Sequence, residues 1–498
     1  MLLRDLVATS RAVAAARSRL EKRRLLADAL RAADPGEIEV VAAFLAGAPR
    51  QRRVGVGWRG LSSLPEPASV ETLTVVEIDA ALDALTDIGG VGSIAVRSEA
   101  VEALFSRVTA DEQEFLRALI FENLRQGALD SVLLDAIAEA AEVPITEVRR
   151  AAMFSGPSGP VAAAALAGGS EALAAFRLEI GRPVRPMLAS PAPSLDAAID
   201  GVRAEAGAFA VDAKLDGIRV QIHRTGADVS VFSRSLDDLT DRLPGVVAAA
   251  RSFASDRFVL DGEALALDDD GRARIFQESV SMQFPMVPRF FDLLHVDGDD
   301  LTEATAAERY ERLTTLVPAD LLVERLVTAD PEEAAAFNIE VLKRGNEGVV
   351  VKDLSSTYAA GRRGSAWLKV KPRHTLDLVV LAVEWGSGRR HGTLSNIHLG
   401  ARDGDGFVML GKTFKGMTDR MLAWQTERFL ELETRRDGHV VYVRPEQVVE
   451  IAFDGVQRST RYPGGVALRF ARVLRYRDDK TADEADTIET VRDTGRRR

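Results

Sequence analysis

The residues with the most chemical potential lie in "FAVDAKLDGIRVQIHR" (209–224), where Lys214 stands between Asp212 and Asp216. Val211, Leu215, Ile218, Val220 and Ile222 read as extended chain, with Asp216-Gly217 as a break near the middle. A lysine among carboxylates on a strand is most often a solvated pair worth roughly 0–1 kcal/mol. It becomes a nucleophile only as the neutral amine, whereas an unperturbed ammonium titrates at about 10.4. Neighbouring cations and removal from water both favour the neutral form. "AWLKVKP" (366–372) offers such cations: strand alternation puts Lys369 and Lys371 on one face, Leu368 and Val370 on the other. Arg219 and Arg234 add fixed charge and planar donors suited to phosphate and ribose oxygens.

These side chains need a large scaffold. At 498 residues, 46% hydrophobic and 28% charged, the chain has the size for two to four domains and the composition of a soluble protein. It contains no cysteine, which excludes disulfides, cysteine-ligated zinc and thiol chemistry and fits a reducing cytoplasm. The amphipathic start has no signal-like apolar region, and no apolar run approaches the ~20 residues that span a bilayer. No membrane partner is expected. The net charge of −11 argues weakly against nucleic acid, but its distribution matters more than its sum. Residues 1–60 hold twelve Lys/Arg against six Asp/Glu, and "RRGSAWLKVKPR" (362–373) has five basic residues and no acid.

Residues 1 to about 180 show helical periodicity. "DEQEFLRALIFENLRQGALDSVLLDAIAEAAEV" (111–143) is interrupted at Gly127; Thr109 or Asp111 is a fitting cap before it, and Thr146 before "EVRRAAM". "GRPVRPML" (181–188) reads as an extended linker. From about 187 to 373 short β-branched runs alternate with turns and helical stretches, an α+β pattern with mainly antiparallel sheets. From about 374 onward short strands suggest a small barrel, followed by a charged tail.

The motifs fall in a definite order: "AKLDGIR", "SR" (Ser233-Arg234), "DGE" (261–263), "FFDLL" (290–294), "EGVVVK" (347–352), "WLKVK" (367–371) and "RYRDDK" (475–480). In this order and spacing the chain strongly resembles the ATP-dependent DNA ligases, of the covalent nucleotidyltransferase superfamily, and in particular the bacterial and archaeal three-domain type. "FENLRQGA" (121–128) and "RPVRPMLA" (182–189) resemble the same family's DNA-binding domain. The resemblance implies a multidomain α+β protein: an all-helical DNA-binding domain over 1–185, an antiparallel α+β adenylation (nucleotidyltransferase) domain over 186–373, and an OB-fold β-barrel with a charged tail over 374–498.

It also implies roles. Lys214 would become linked to AMP, with Gly217 permitting a tight backbone path beside the nucleotide. Asp212 takes the position where the family commonly carries glutamate near the adenine. Arg219 would contact the nucleotide, and Arg234 the nucleotide or the nick phosphate. Glu263 would contact the ribose and help hold metal, and Glu347 would be a second metal-linked carboxylate; carboxylates, waters and substrate phosphates are the usual Mg²⁺ ligands. Phe291 would stack on the purine while Phe290, on the opposite face, packs in the core. Arg363, Lys369 and Lys371 would complete the nucleotide contacts, with Lys369 and Lys371 at the α-phosphate. Arg477 and Lys480 would orient the departing pyrophosphate and then swing away. After "FQE" (276–278) the family tends to carry a basic cluster, where this chain has "SVSMQF" (279–284).

The implied co-substrate is ATP, with Mg²⁺ or Mn²⁺, and the implied partner is nicked double-stranded DNA, sealed by a monomer in replication, repair or recombination in the cytoplasm. The rivals are an RNA ligase, an mRNA-capping guanylyltransferase, and a non-catalytic repair scaffold. The long helical N-terminal segment and "RDDK" favour the DNA enzyme over the first two, and the presence of Lys214, Glu263 and Lys369 argues against the scaffold. An NAD-dependent ligase typically carries a cysteine-liganded zinc module, absent here.

Overall fold

The computed structural model describes all residues except 91, 125, 127–129, 203–206, 268–284, 361–362, 373 and 497–498, with the backbone alone at 363, 389, 495 and 496. The segment after "FQE" therefore lies outside the described residues, as do Arg125 and Gly127–Ala128 of "FENLRQGA".

The first 174 residues are helical, packed around one apolar core that includes Leu6, Phe44, Phe105, Leu116 and Ile137. The long periodic segment forms two helices, Ala110–Ile120 and Asp130–Ala141. Thr109 caps the first through the residue three positions on: Thr109 N and Oγ1 both donate to the Glu112 carboxylate, at 2.9 and 3.0 Å. The expected cap at Thr146 is corrected: the cap is Pro144, two residues earlier, and the helix runs Ile145–Ser155 behind it, the fixed φ of proline suiting helix entry.

The expected linker is extended but not loose. Val184 and Met187 are buried, Val184 N donates to Gln221 Oε1 at 2.7 Å, and Gln221 Nε2 returns a bond to Val184 O at 3.1 Å. The segment is a strap sewn onto the central domain.

That domain holds two five-stranded sheets. The first has the order Leu188–Pro191, Arg363–Val370, Gly348–Asp353, Phe209–Lys214, Arg325–Thr328, antiparallel except at its first pairing. The second runs Asp228–Ser233, Ile218–Thr225, Arg257–Ala266, Met286–Val296, Asp299–Asp300 and is antiparallel throughout. The break at Leu215–Gly217 is thus a crossing from one sheet to the other, which leaves Lys214 at their junction.

From His374 onward an antiparallel strand domain follows, with the helix Asp419–Glu431 between its third and fourth strands. Its long first strand, His374–Trp385, pairs with three others. No helix among the described residues is long and apolar enough to cross a membrane.

Candidate active site

The two sheets enclose a cavity of about 180 Å³. The first sheet contributes Asp212, Lys214, Val350, Lys352, Trp367 and Lys369 to its wall; the second contributes Arg219, Glu263 and Phe291, with Arg234 directly after its edge strand. Alternation does the sorting on each strand. Trp367 and Lys369 face the cavity while Leu368 and Val370 enter the apolar core behind it. Phe290 is fully buried in the second sheet's core, and Phe291 lines the cavity.

Lys214 Nζ lies 2.6 Å from Glu347 Oε2, and Glu347 N donates to Lys214 O at 2.9 Å. The other Glu347 oxygen accepts from Lys371. The anticipated cationic face therefore reaches Lys214 through a carboxylate, as a Lys–Glu–Lys chain. Burial alone would raise the Glu347 carboxyl, but the two ammonium groups outweigh it and hold it below the ordinary range.

Glu263 is different. Burial pushes its carboxyl up to about 7, and Lys214, Arg219 and the Gly217 N–H offset this only in part. Gly217 N donates to Glu263 Oε1 at 3.2 Å, and a Cβ on Gly217 would stand 2.4 Å from Ala264 O. A side chain there would force the lysine loop off the Glu263 strand, which is why the crossing requires glycine.

Arg219 pairs with Asp261, its Nε 2.6 Å from Oδ1, and lies 4.8 Å over the Phe291 ring. Tyr358 O–H donates to the same Asp261 at 2.7 Å. Arg219 is thus aimed by a buried acid that sequence reading passed over.

Asp212 carries a heavier load than expected of a nucleotide contact. Its oxygens take Arg325 at 2.5 and 2.8 Å and Lys352 at 2.7 Å, all three side chains at most 5% exposed. Burial would raise this carboxyl, but Arg325 and Lys352 keep it low and ionised. Asp212→Ala would strand two buried cations, so a loss of roughly 3–5 kcal/mol in folding stability is expected. Urea denaturation of the full chain measures it; a loss below about 1 kcal/mol would contradict the buried network.

Two groups lie elsewhere. Arg363 is described by its backbone alone. Arg477 and Lys480 do not line the cavity: both pair with Asp377, at 3.0 and 2.6 Å, inside the C-terminal domain. That domain meets the lysine loop through Arg469, whose Nη1 is 3.3 Å from Asp216 Oδ2. Lys352, Trp367, Asp261, Arg325 and Tyr358 were not singled out from sequence. Lys352, Trp367 and Asp261 stood inside quoted motifs, and Trp367 shares the Lys369 face by simple period two; Arg325 and Tyr358 carry no local signal.

Comparison with known proteins agrees with this architecture. Residues 61–138 match the family model described as "DNA ligase N terminus", 186–371 that of "ATP dependent DNA ligase domain", and 390–480 that of "ATP dependent DNA ligase C terminal region". A "Probable DNA ligase" from Nocardioides sp. is 60% identical over 504 residues, covering 99% of this chain and 98% of its own. Another "Probable DNA ligase", from Beutenbergia cavernae, is 59% identical over 508 residues, covering 99% of each. The solved structure titled "Pmar-Lig_Pre." shares the fold with a TM-score of 0.62 at 18% identity, covering 95% of this chain and 99% of that one. With this likeness running along its whole length, the chain belongs to the ATP-dependent DNA ligase family.

Proposed function

We propose that the protein seals nicks in duplex DNA by three successive transfers. Lys214 Nζ attacks the α-phosphorus of ATP, the bond to the bridging oxygen breaks, and pyrophosphate leaves; the product is a lysyl-AMP phosphoramidate. The 5′-phosphate at a nick then displaces Lys214 and takes the AMP. Finally the 3′-hydroxyl attacks that phosphorus, AMP departs, and the backbone is closed. The observation that carries this reading is Lys214 held at the sheet junction, inside a cavity whose wall also bears Arg219, Arg234, Glu263, Phe291 and Lys369.

Each residue has a task there. Glu347 receives the Lys214 N–H and fixes where the nitrogen points. Lys369 holds the α-phosphate oxygens as negative charge builds, with Lys371 behind it on Glu347. Phe291 stacks on the purine, Arg219 and Arg363 contact the nucleotide, and Arg234 contacts the nucleotide or the nick phosphate. Mg²⁺, or Mn²⁺ in its place, fits Glu263, whose carboxylate is buried with its charge incompletely offset, as the upward shift to about 7 records. No cluster of three metal-ligating side chains stands among the described residues, which suits a cation held by one or two carboxylates, waters and substrate phosphates. When bound it neutralises charge on the transferring phosphate. Glu347, the second candidate, has both oxygens on lysines until Lys214 is used.

Residues 1–185 would grip duplex phosphates, 186–373 carry the chemistry, and 374–498 form the expected OB-fold barrel. The helix between the third and fourth strands and the shared first strand support that last assignment. Arg477 and Lys480, parked on Asp377, would swing with this domain to the pyrophosphate and away again. The enzyme is read as a cytoplasmic monomer. The test is closure of a 5′-phosphorylated nick with ATP, GTP or NAD as donor. ATP alone should support it; closure with NAD or GTP alone would overturn the assignment. Binding of the nick should weaken on the order of tenfold or more between 50 and 200 mM salt, despite the net negative charge. Binding that ignores ionic strength, by fluorescence anisotropy, would contradict a phosphate-gripping helical domain.

A further inference from the structure

Of the chain's four tryptophans, Trp58 is the most exposed, at 66%. A single exposed aromatic is ordinary on a protein surface; the segment that carries this one is not. Residues 47–65 hold four arginines and no acid. The segment is built rather than slack: Arg50 Nη2 and Gln51 Nε2 donate to the Asp79 carboxylate at 2.8 and 2.9 Å, and Val54 and Leu61 are sunk in the helical domain's core. Apolar side chains on either side are thus turned inward while the indole is turned out. Phe121 holds it there, with ring centroids 5.1 Å apart. Arg59, the next residue, is exposed and makes no ion pair among the described residues.

The same segment reaches the central domain. Arg52 Nη2 donates to Ser235 O at 3.1 Å, and Arg53 Nη2 lies 3.8 Å from Asp237 Oδ1, both on the turn that follows Arg234. Leu236, between those two, lies against Gly156 of the helical domain, where an added Cβ would stand 3.3 Å from Leu236 Cδ1. Arg52 and Leu236 both take left-handed backbones, with φ of 59° and 70°. Residues with side chains seldom do so, and the conformation persists where the surroundings hold it. One continuous surface therefore runs from the Arg234 turn to Phe121, with cations and an indole facing outward.

We propose that this surface docks on the duplex beside the nick, with the Trp58 indole packed against deoxyribose in the minor groove and Arg59 on a neighbouring phosphate. Two features favour duplex DNA as the occupant. An arginine segment without an acid complements a phosphate backbone, and the surface is continuous with the turn bearing Arg234, a nucleotide or nick-phosphate contact in the reading above. Apolar side chains of duplex-binding proteins enter the minor groove, whereas phosphate contacts alone fix register and orientation. The inference rests on the nick-sealing reading and adds to it an apolar anchor that salt does not screen.

The test measures binding of a fluorescent nicked duplex to the full chain over a salt series, beside self-labelling from ATP, a step that needs no DNA. Trp58→Ala should weaken binding about tenfold, the scale of one lost aromatic contact to nucleic acid, and leave the salt slope unchanged. Trp58→Phe should recover most of that loss. Arg59→Ala should instead lower the slope by about one. Binding by Trp58→Ala within twofold of wild type, or an equal loss on single-stranded DNA of the same length, would overturn the proposal. Should Trp58→Ala also lose self-labelling, it has disturbed the fold and the wild type decides. Its tryptophan emission should become less open to acrylamide quenching once nicked duplex saturates binding by anisotropy, because Trp58 is the most exposed of the four; unchanged quenching would overturn the proposal. Failure of the parent reading is distinct: wild-type protein would then bind no nicked duplex.

Discussion

Lys214→Ala is expected to abolish nick sealing from ATP, by at least about 10⁴-fold, the scale seen when a covalent nucleophile is removed. Its effect should be confined to the steps in which the lysine carries AMP. A nick whose 5′-phosphate already bears AMP needs no lysine nucleophile, so closure of that substrate should stay within about tenfold of wild type. The Lys–Glu–Lys chain makes the variant informative in a second way. Without Lys214, Glu347 keeps Lys371 as its partner and the buried carboxylate is still compensated. The fold should therefore survive, and a melting temperature close to wild type would show it. Equal loss on both substrates would mean that Lys214 is a structural cation, and the mechanism would fail.

Glu263→Gln should separate activity from stability in opposite directions. The folded-state value of about 7 lies above the ordinary 4.5, so this group favours folding most fully below about 4.5. That contribution is lost as pH rises through about 7, where the buried carboxylate ionises. Above that pH the ionised group costs about 3 kcal/mol, at about 1.4 kcal/mol for each unit of the difference between 4.5 and 7. Glutamine keeps the acceptor for Gly217 N–H and carries no charge. The variant should melt higher than wild type at pH 8 and about equally at pH 5, while self-labelling falls on the order of 10²-fold for want of the cation-binding carboxylate. A lower melting temperature at pH 8 would show that Lys214 and Arg219 compensate Glu263 more completely than its surroundings indicate.

Wherever a local rule decided the matter, the sequence was legible. Period two separated Lys369 from Leu368 and Phe291 from Phe290, because one residue of shift reverses the face of a strand. Thr109, one of two capping residues read before the run, is the one that caps it. What could not be read was which sheet each strand joins. "AKLDGIR" looks like one interrupted strand, yet Lys214 and Ile218 belong to different sheets, and that crossing creates the cavity. Asp212–Arg325 spans 113 residues and Asp261–Tyr358 spans 97, so neither pair leaves a local pattern. The proline-rich strap shows the same limit. Its extension follows from Pro183 and Pro186, but its burial depends on Gln221, a distant side chain with nothing to mark it. Arg477 and Lys480 were assigned a task at the nucleotide, whereas the structure pairs both with Asp377 inside the C-terminal domain.

The measurement that bears most directly on the central claim is a pulse and chase on the stripped enzyme. The protein is labelled with α-³²P-ATP and Mg²⁺, freed of ATP, digested, and the labelled peptide identified by mass spectrometry. A portion is chased with nicked duplex before digestion. The account predicts AMP on Lys214 and its transfer to the DNA 5′-phosphate, followed by release as sealing completes. Label on any other residue, or label on Lys214 that nicked DNA does not remove, would contradict it.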